Sequence, residues 1–206
     1  MYNYPVIIFE GIETSGKTVQ IKNLTNYLKK IKKKFIKIRE PGGSNNSETL
    51  RKLILKKKSN LNYKTDLLLI LASRSENYEK IIKKYYRRKI IIIDRFIDST
   101  IAYQHFGMNI SLNLIKNLNN LVTNNFKPDF TFLNIVNKKN MKKRLKKRNN
   151  NNKYDFFNYN FYNKVQKGFL EISKNKKQYM IIDSNKDIEI NKKIIINKIN
   201  EILKIK

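Results

Sequence analysis

An α/β fold, with a five-stranded parallel sheet flanked by helices, is what this sequence predicts. Three observations carry the prediction. Short apolar runs alternate with helical patterns along the whole chain. A glycine-rich stretch, Gly11-Ile12-Glu13-Thr14-Ser15-Gly16-Lys17-Thr18, lies between the first run and the first helical pattern. A third run, at 90–93, ends in Asp94-Arg95. Strand, glycine turn and helix in that order form a loop whose backbone N–H groups surround a polyphosphate. The fold expected is therefore of the phosphate-loop (P-loop) NTPase type.

The runs at 6–9, 35–39, 90–93, 130–135 and 179–182 are short, apolar and rich in β-branched or aromatic residues. That composition suits strands covered on both faces, as in a parallel sheet with right-handed crossovers. Helical patterns fall between them at about 17–32, 47–57, 65–86, 111–123, 138–148, 159–176 and 186–204. Thr65-Asp66 reads as a helix start, with Leu67, Leu68, Leu71 and Tyr78 sharing an apolar face. No internal repeat is visible. The whole chain, 1–206, is read as one domain. The asparagine run Asn149 to Asn152 carries nothing that can be buried and reads as part of a mobile surface loop.

The formal net charge is +29, which by itself points to a polyanionic partner. Lys, Asn, Ile, Tyr and Phe are abundant together, however, and these are the residues of A/U-rich codons. A base-composition bias in the gene explains the charge without any such partner, so neither nucleic acid nor membrane is expected. Cysteine is absent, which removes disulfides, thiolate metal sites and cysteine nucleophiles. No apolar stretch reaches the length of a membrane span and no signal segment precedes the first strand, so a cytoplasmic location is expected.

The glycine-rich stretch matches G-x-x-x-x-G-K-S/T at every position. Gly11 and Gly16 admit phosphates close to the main chain, and Lys17 reaches β- and γ-phosphate oxygens. The Thr18 hydroxyl suits Mg²⁺, as does a carboxylate at a strand's C-terminal edge, Asp94. Arg95 offers a planar fork to a phosphoryl group. Arg39-Glu40-Pro41-Gly42-Gly43-Ser44 ends the second strand in a turn, with an arginine and a glutamate at the mouth of the phosphate site. Arg51 and Arg74, taken alone, read as solvated helix residues, and Lys17 as the end of a surface loop. Asn152-Lys153-Tyr154-Asp155 fits the N-K-x-D pattern of guanine readers, but in an asparagine run it reads as a chance match. His105 has no acid nearby in sequence and is not read as a base. The Lys/Ile pattern at 192–206 reads as an amphipathic surface helix.

Together and in this order, these motifs resemble bacterial thymidylate kinases. Phe9-Glu10-Gly11-Ile12-Glu13 with its loop is similar to F-E-G-x-E-G-x-G-K-T, and Arg39 to Ser44 to R-E-P-G-G-T. Leu67 to Arg74 resembles L-L-L-F-A-A-S-R, and Asp94 to Gln104 resembles D-R-Y-x-D-S-S-x-A-Y-Q. Lys127 to Leu133 resembles the family's P-D-L-T strand entry, and Phe161 to Ile172 the helix after its lid. The resemblance implies Mg²⁺-dependent transfer of the ATP γ-phosphoryl group to dTMP, in a homodimer. It places Lys17 on the donor phosphates and Glu13 beside the transfer site and metal. It sets Arg95 between the two phosphates, with Arg39 and Arg51 near that of dTMP. Arg74, Thr100 and Gln104 would read the thymine edge, and Tyr103 would pack on the sugar. Two departures stand out. Ile70 replaces the phenylalanine that stacks on the base. In a short lid at about 149–157, Lys153 replaces the arginine of D-R-x-E, keeping its charge without its fork. Two other readings remain open: a kinase for a different nucleoside monophosphate, and an ATPase acting on nucleic acid.

Overall fold

The computed structural model describes residues 4–57, 59–147 and 152–205. Its strands are β1 (Val6–Glu10), β2 (Phe35–Arg39), β3 (Ile90–Asp94), β4 (Phe130–Ile135) and β5 (Tyr179–Asp183). They form one parallel sheet in the order β2-β3-β1-β4-β5. The chain leaves β1, crosses to β2, returns through β3, and then passes to β4 on the far side of β1. Such a reversal opens a crevice at the C-terminal edge of the strands. The register fixes what meets there: Asp94 lies opposite Phe9 on one side and Arg39 on the other.

Helices cover both faces. On one, Phe9, Phe132 and Ile92 pack against Ile21, Leu24 and Leu28 of α1 (Lys17–Lys30) and Ile195 and Ile199 of α9 (Ile188–Leu203). Phe9 and Phe132 stack at 5.1 Å between ring centroids. Each such side chain removed from water contributes about 1.5–3 kcal/mol. On the other face, Val6, Ile8, Ile91 and Ile93 meet Ile82 and Phe96. Beyond them, α8 (Tyr159–Ser173) packs Phe161, Val165 and Phe169 against Tyr103.

The expected strands are all present. The helices differ in three respects. The helix expected from Thr65 begins at Tyr63, because Asn62 caps it through Thr65 N–H at 2.9 Å. This α3 (Tyr63–Asn77) passes through a π-helical turn at Tyr78–Ile82 into the short α4 (Lys83–Tyr85). The helix expected at 47–57 is α2 (Asn45–Ile54), capped by Ser44. An unexpected helix follows Arg95: α5 (Ile97–Thr100) runs into a π-helix, Ile101–Gly107. Its wide turns spoil the 3.6-residue period by which helices are read from sequence. The remaining helices are α6 (Leu112–Thr123) and α7 (Lys138–Lys146), with a 3-10 turn at Lys153–Phe156. Arg148, the end of an expected helix, and Asn149 to Asn151 of the expected mobile loop lie outside the described residues.

Candidate active site

β1 ends in Glu10, and the chain turns through Gly11 at φ +135° and Gly16 at φ +88° into α1. A Cβ on Gly11 would lie 2.2 Å from the Asn134 carbonyl oxygen. Gly11→Ala is accordingly expected to cost about 2–4 kcal/mol, from strain at positive φ together with overpacking. A denaturant midpoint that stays at the parent's value would contradict this. The other long helices are capped by Ser44, Asn62, Ser111, Asn137, Asn158 and Asp187. α1 alone among them has no side-chain cap and no acid in its first turn. Its open N-terminus faces the loop, the arrangement that suits a phosphate. Ile12 and Ser15 are buried in the loop, and Thr14 adopts φ +56°. Thr18 is exposed at the cleft.

Lys17 corrects the expectation of a surface position, being only 6% exposed. Its ammonium donates to Gly11 O (2.8 Å), Ile12 O (2.9 Å) and Ser15 Oγ (3.3 Å). Burial, reinforced by the Arg95 cation, lowers its pKa to about 8. The loop folds back around its own lysine.

Arg95 adopts φ +68°, an uncommon conformation for a side chain of its size. It donates to Gly11 O (2.8 Å), Ser99 Oγ (3.3 Å) and Glu13 Oε1 (3.0 Å), and its guanidinium lies over the Tyr103 ring at 5.2 Å. Tyr103 donates to the other Glu13 oxygen. Glu10, which the sequence reading passed over, fixes the turn after Arg95. It accepts from Phe96 N–H (2.7 Å), Ser99 N–H (3.2 Å) and Ser99 Oγ–H (2.5 Å). Burial pushes its pKa up to about 8.

The metal expectation can be tested on these residues. Asp94 Oδ1 is buried and has no hydrogen-bond partner among the described residues. It lines the same cleft as Thr18. No group of three or more acidic or imidazole side chains is placed to hold a metal ion among the described residues. One carboxylate and one hydroxyl fit Mg²⁺, which takes the rest of its shell from water and substrate phosphates. Glu13, expected as a third ligand, is instead engaged by Arg95 and Tyr103.

The main cleft, about 820 Å³, is lined by Glu13, Lys17, Arg39, Glu40, Arg51, Ile70, Arg74, Arg95, Thr100, Tyr103 and Gln104. The structure therefore brings every expected substrate residue to one place. Arg51 donates to Pro41 O at 2.5 Å, and burial with the Arg39 cation lowers it to about 10. Arg39 is paired with Glu48 at 2.9 Å at the rim. Arg74, read alone as solvated, is 1% exposed. Its Nε meets Glu40 Oε2 at 2.7 Å, Nη1 reaches Thr100 Oγ1 (2.8 Å) and Asn119 Oδ1, and Nη2 meets Phe96 O at 3.0 Å. His105 is tied to Ile110 O through Nδ1 at 2.8 Å.

Lys153 is the expected site residue that the structure places elsewhere. Its ammonium is paired with buried Asp66, and the main cleft is lined instead by its neighbours Asn152 and Tyr154. The N-K-x-D match is a capping box, with Asn152 and Asp155 closing on each other's backbone. A second cleft of about 310 Å³ opens beside the phosphate loop, lined by Thr14 to Gln20, Arg144, Ser184, Lys186, Ile188 and Asn191. Arg144, also missed from sequence, braces it by donating to Thr14 O (3.1 Å) and Ser184 O (2.6 Å). Its only signal was an arginine within a lysine-rich helical pattern.

Comparison with known proteins bears on this geometry. Residues 9–195 match the thymidylate kinase family model. A thymidylate kinase of Wolbachia sp. subsp. Brugia malayi is 38% identical over 199 residues, 95% of this chain and 94% of that protein. That of Wolbachia pipientis wMel is 43% identical over 170 residues, covering 81% and 84%. The crystal structure of the Ehrlichia chaffeensis thymidylate kinase superposes with a TM-score of 0.77 at 36% identity, covering 96% of this chain and 98% of that one. A loop built for phosphates, an Asp94 oxygen beside it that has no hydrogen-bond partner among the described residues, and relatives matched over nearly their full length lead to one assignment: the chain belongs to the thymidylate kinase family.

Proposed function

We propose that this chain transfers the γ-phosphoryl group of ATP to dTMP, giving dTDP and ADP. The observation that carries the reading is the crowding of cations at one cleft. Lys17 and Arg51 both have lowered pKa values, from burial first and from the neighbouring Arg95 and Arg39 next. Cations held against one another are relieved when anions enter between them. Lys17 and the open end of α1 bind the donor phosphates. Arg51 and Arg39 bind the acceptor phosphate, and Arg95 lies between the two groups. Phosphoryl transfer asks the protein for alignment and charge neutralisation more than for covalent chemistry. Asp94 and Thr18 would hold Mg²⁺, which would further neutralise the phosphate charge. Arg144 and its cleft suit the donor nucleoside.

One kinase domain spans the chain in this proposal, with about 149–157 as its lid. Asn152 and Tyr154 at the cleft support that assignment. Lys153, held by Asp66, is not assigned a part in transfer. A homodimer is proposed on the exposed leucines of the neighbouring helices α3 and α6, Leu68 (57%) and Leu121 (73%). Among the described residues no helix is long and apolar enough to cross a membrane. A cytoplasmic location is proposed because ATP is supplied there and the chain carries no cysteine.

Base choice tests the reading. Arg74 commits one N–H to Glu40, two to Thr100 and Asn119, and one to Phe96, which leaves one Nη2 hydrogen for a base. Thymine offers its O4 there. Cytosine offers an amino donor, and its N3 lacks the hydrogen of thymine N3. Two unmet buried groups predict a kcat/KM for dCMP about 10²- to 10⁴-fold below that for dTMP. dUMP lacks only a methyl group, so its penalty is roughly 10- to 200-fold. Equal kcat/KM for dTMP and dCMP would overturn the assignment of the acceptor.

A further inference from the structure

We propose that Asp66 is a positioning residue that docks the segment 152–157 against the acceptor cleft and makes Tyr154 part of the wall that holds the base. The inference rests on the reading that this cleft receives dTMP.

It begins on α3. Asp66 and Ile70 are four residues apart, so they share one helix face. Ile70 lines the cleft, and Asp66 is buried beside the 3-10 turn. The Asp66 carboxylate uses both oxygens on consecutive residues of that turn. Oδ1 takes the Lys153 ammonium, and Oδ2 accepts from the Tyr154 hydroxyl at 2.8 Å. The turn is itself rigid: Asn152 Oδ1 accepts from Tyr154 N–H at 2.9 Å, and Asn152 N–H donates to Asp155 Oδ2 at 2.7 Å. Tyr162 donates to the Tyr154 carbonyl from α8. Tyr154 is thereby fixed at its hydroxyl and at its main chain.

Its ring then faces the site. Tyr154 meets Tyr103 edge-to-face at 5.6 Å, and Tyr103 in turn bonds Glu13, the partner of Arg95. An aromatic wall fixed in this way supplies the contact that an isoleucine at position 70 cannot. Without Asp66, Lys153 and the Tyr154 hydroxyl lose their shared acceptor, and the wall is held less firmly, by Gln104 at the hydroxyl and Tyr162 at the main chain.

The test is steady-state kinetics on the full chain with saturating ATP and varied dTMP. The variants are Tyr154→Phe, Asp66→Ala, the two combined, and Arg51→Ala. Each of the first two is expected to raise KM for dTMP about five- to tenfold with a smaller change in kcat, on the scale of one buried hydrogen bond. The double variant is expected within about twofold of the larger single effect, because both remove one contact. KM values within twofold of the parent for both singles, or fully multiplicative effects, would overturn the proposal. Tyr154→Phe removes a single hydroxyl and decides the matter if Asp66→Ala does not fold. Arg51→Ala separates the two levels, since Arg51 lines the cleft and bonds the Pro41 carbonyl rather than Tyr154. If it raises KM while Tyr154→Phe does not, only the docking role fails. If it too leaves KM unchanged, the placement of dTMP in this cleft fails instead.

Discussion

Lys17→Ala is expected to cut turnover several-hundred-fold while the protein stays folded. In the proposed mechanism the side chain is a preorganised cation at the place where negative charge is transferred. It is held by two backbone carbonyls and Ser15 Oγ. Removing one such charge contact costs on the order of 3–4 kcal/mol in the transition state, a factor of 10² to 10³. Stability follows a different logic. The folded pKa of about 8 lies below the unfolded 10.5, so a charged Lys17 opposes folding. That cost is fully present below about pH 8 and fades as pH rises towards 10.5. Alanine therefore relieves a charge penalty at neutral pH, and the melting temperature should not fall with the activity. Turnover within about tenfold of the parent would remove Lys17 from the mechanism.

The second large effect is on stability. Arg74→Ala is expected to destabilise the fold by about 3–5 kcal/mol, because it leaves the buried Glu40 carboxylate without its cation. Burial already pushes the Glu40 pKa up, and Arg74 is the main influence holding it down. Among the described residues only Asn77, at 3.5 Å, still donates to it. Thr100, Asn119 and the Phe96 carbonyl lose their donor in the same substitution. For a chain of this length each kcal/mol is worth about 2–4 °C, so Tm should fall by roughly 10 °C or more. Arg74→Lys should also lose stability, since an ammonium cannot reproduce the planar fork. At temperatures where the alanine variant stays folded, its preference for dTMP over dCMP should narrow. A Tm within 2 °C of the parent would mean that this network does not hold the site together.

What was legible in the sequence was local. The five strands and the phosphate loop announce themselves through composition and spacing over ten residues or fewer. Asp94 and Arg95 were readable because they end an apolar strand. The depth of a side chain was not readable. Lys17 and Arg74 are polar residues on helices, and only the crossing of distant segments buries them. Arg74 draws its partners from positions 40, 96, 100 and 119. The π-helix at Ile101–Gly107 escaped because its period differs from the one sought, although Tyr103 and Gln104 were found by resemblance. Lys153 misled for the same reason that Asp66 was missed. Their pairing spans 87 positions in sequence, so charge and motif position alone directed the lysine to the phosphates.

The central claim is that ATP turnover at this phosphate loop is coupled to dTMP in the neighbouring cleft. ADP release by the full chain, measured with ATP alone and then with dTMP, other nucleoside monophosphates or DNA added separately, tests it most directly. The account predicts slow release with ATP alone, strong stimulation by dTMP with equimolar dTDP formed, and no stimulation by DNA. ADP release that ignores dTMP, or that rises with DNA and falls steeply with salt, would contradict it.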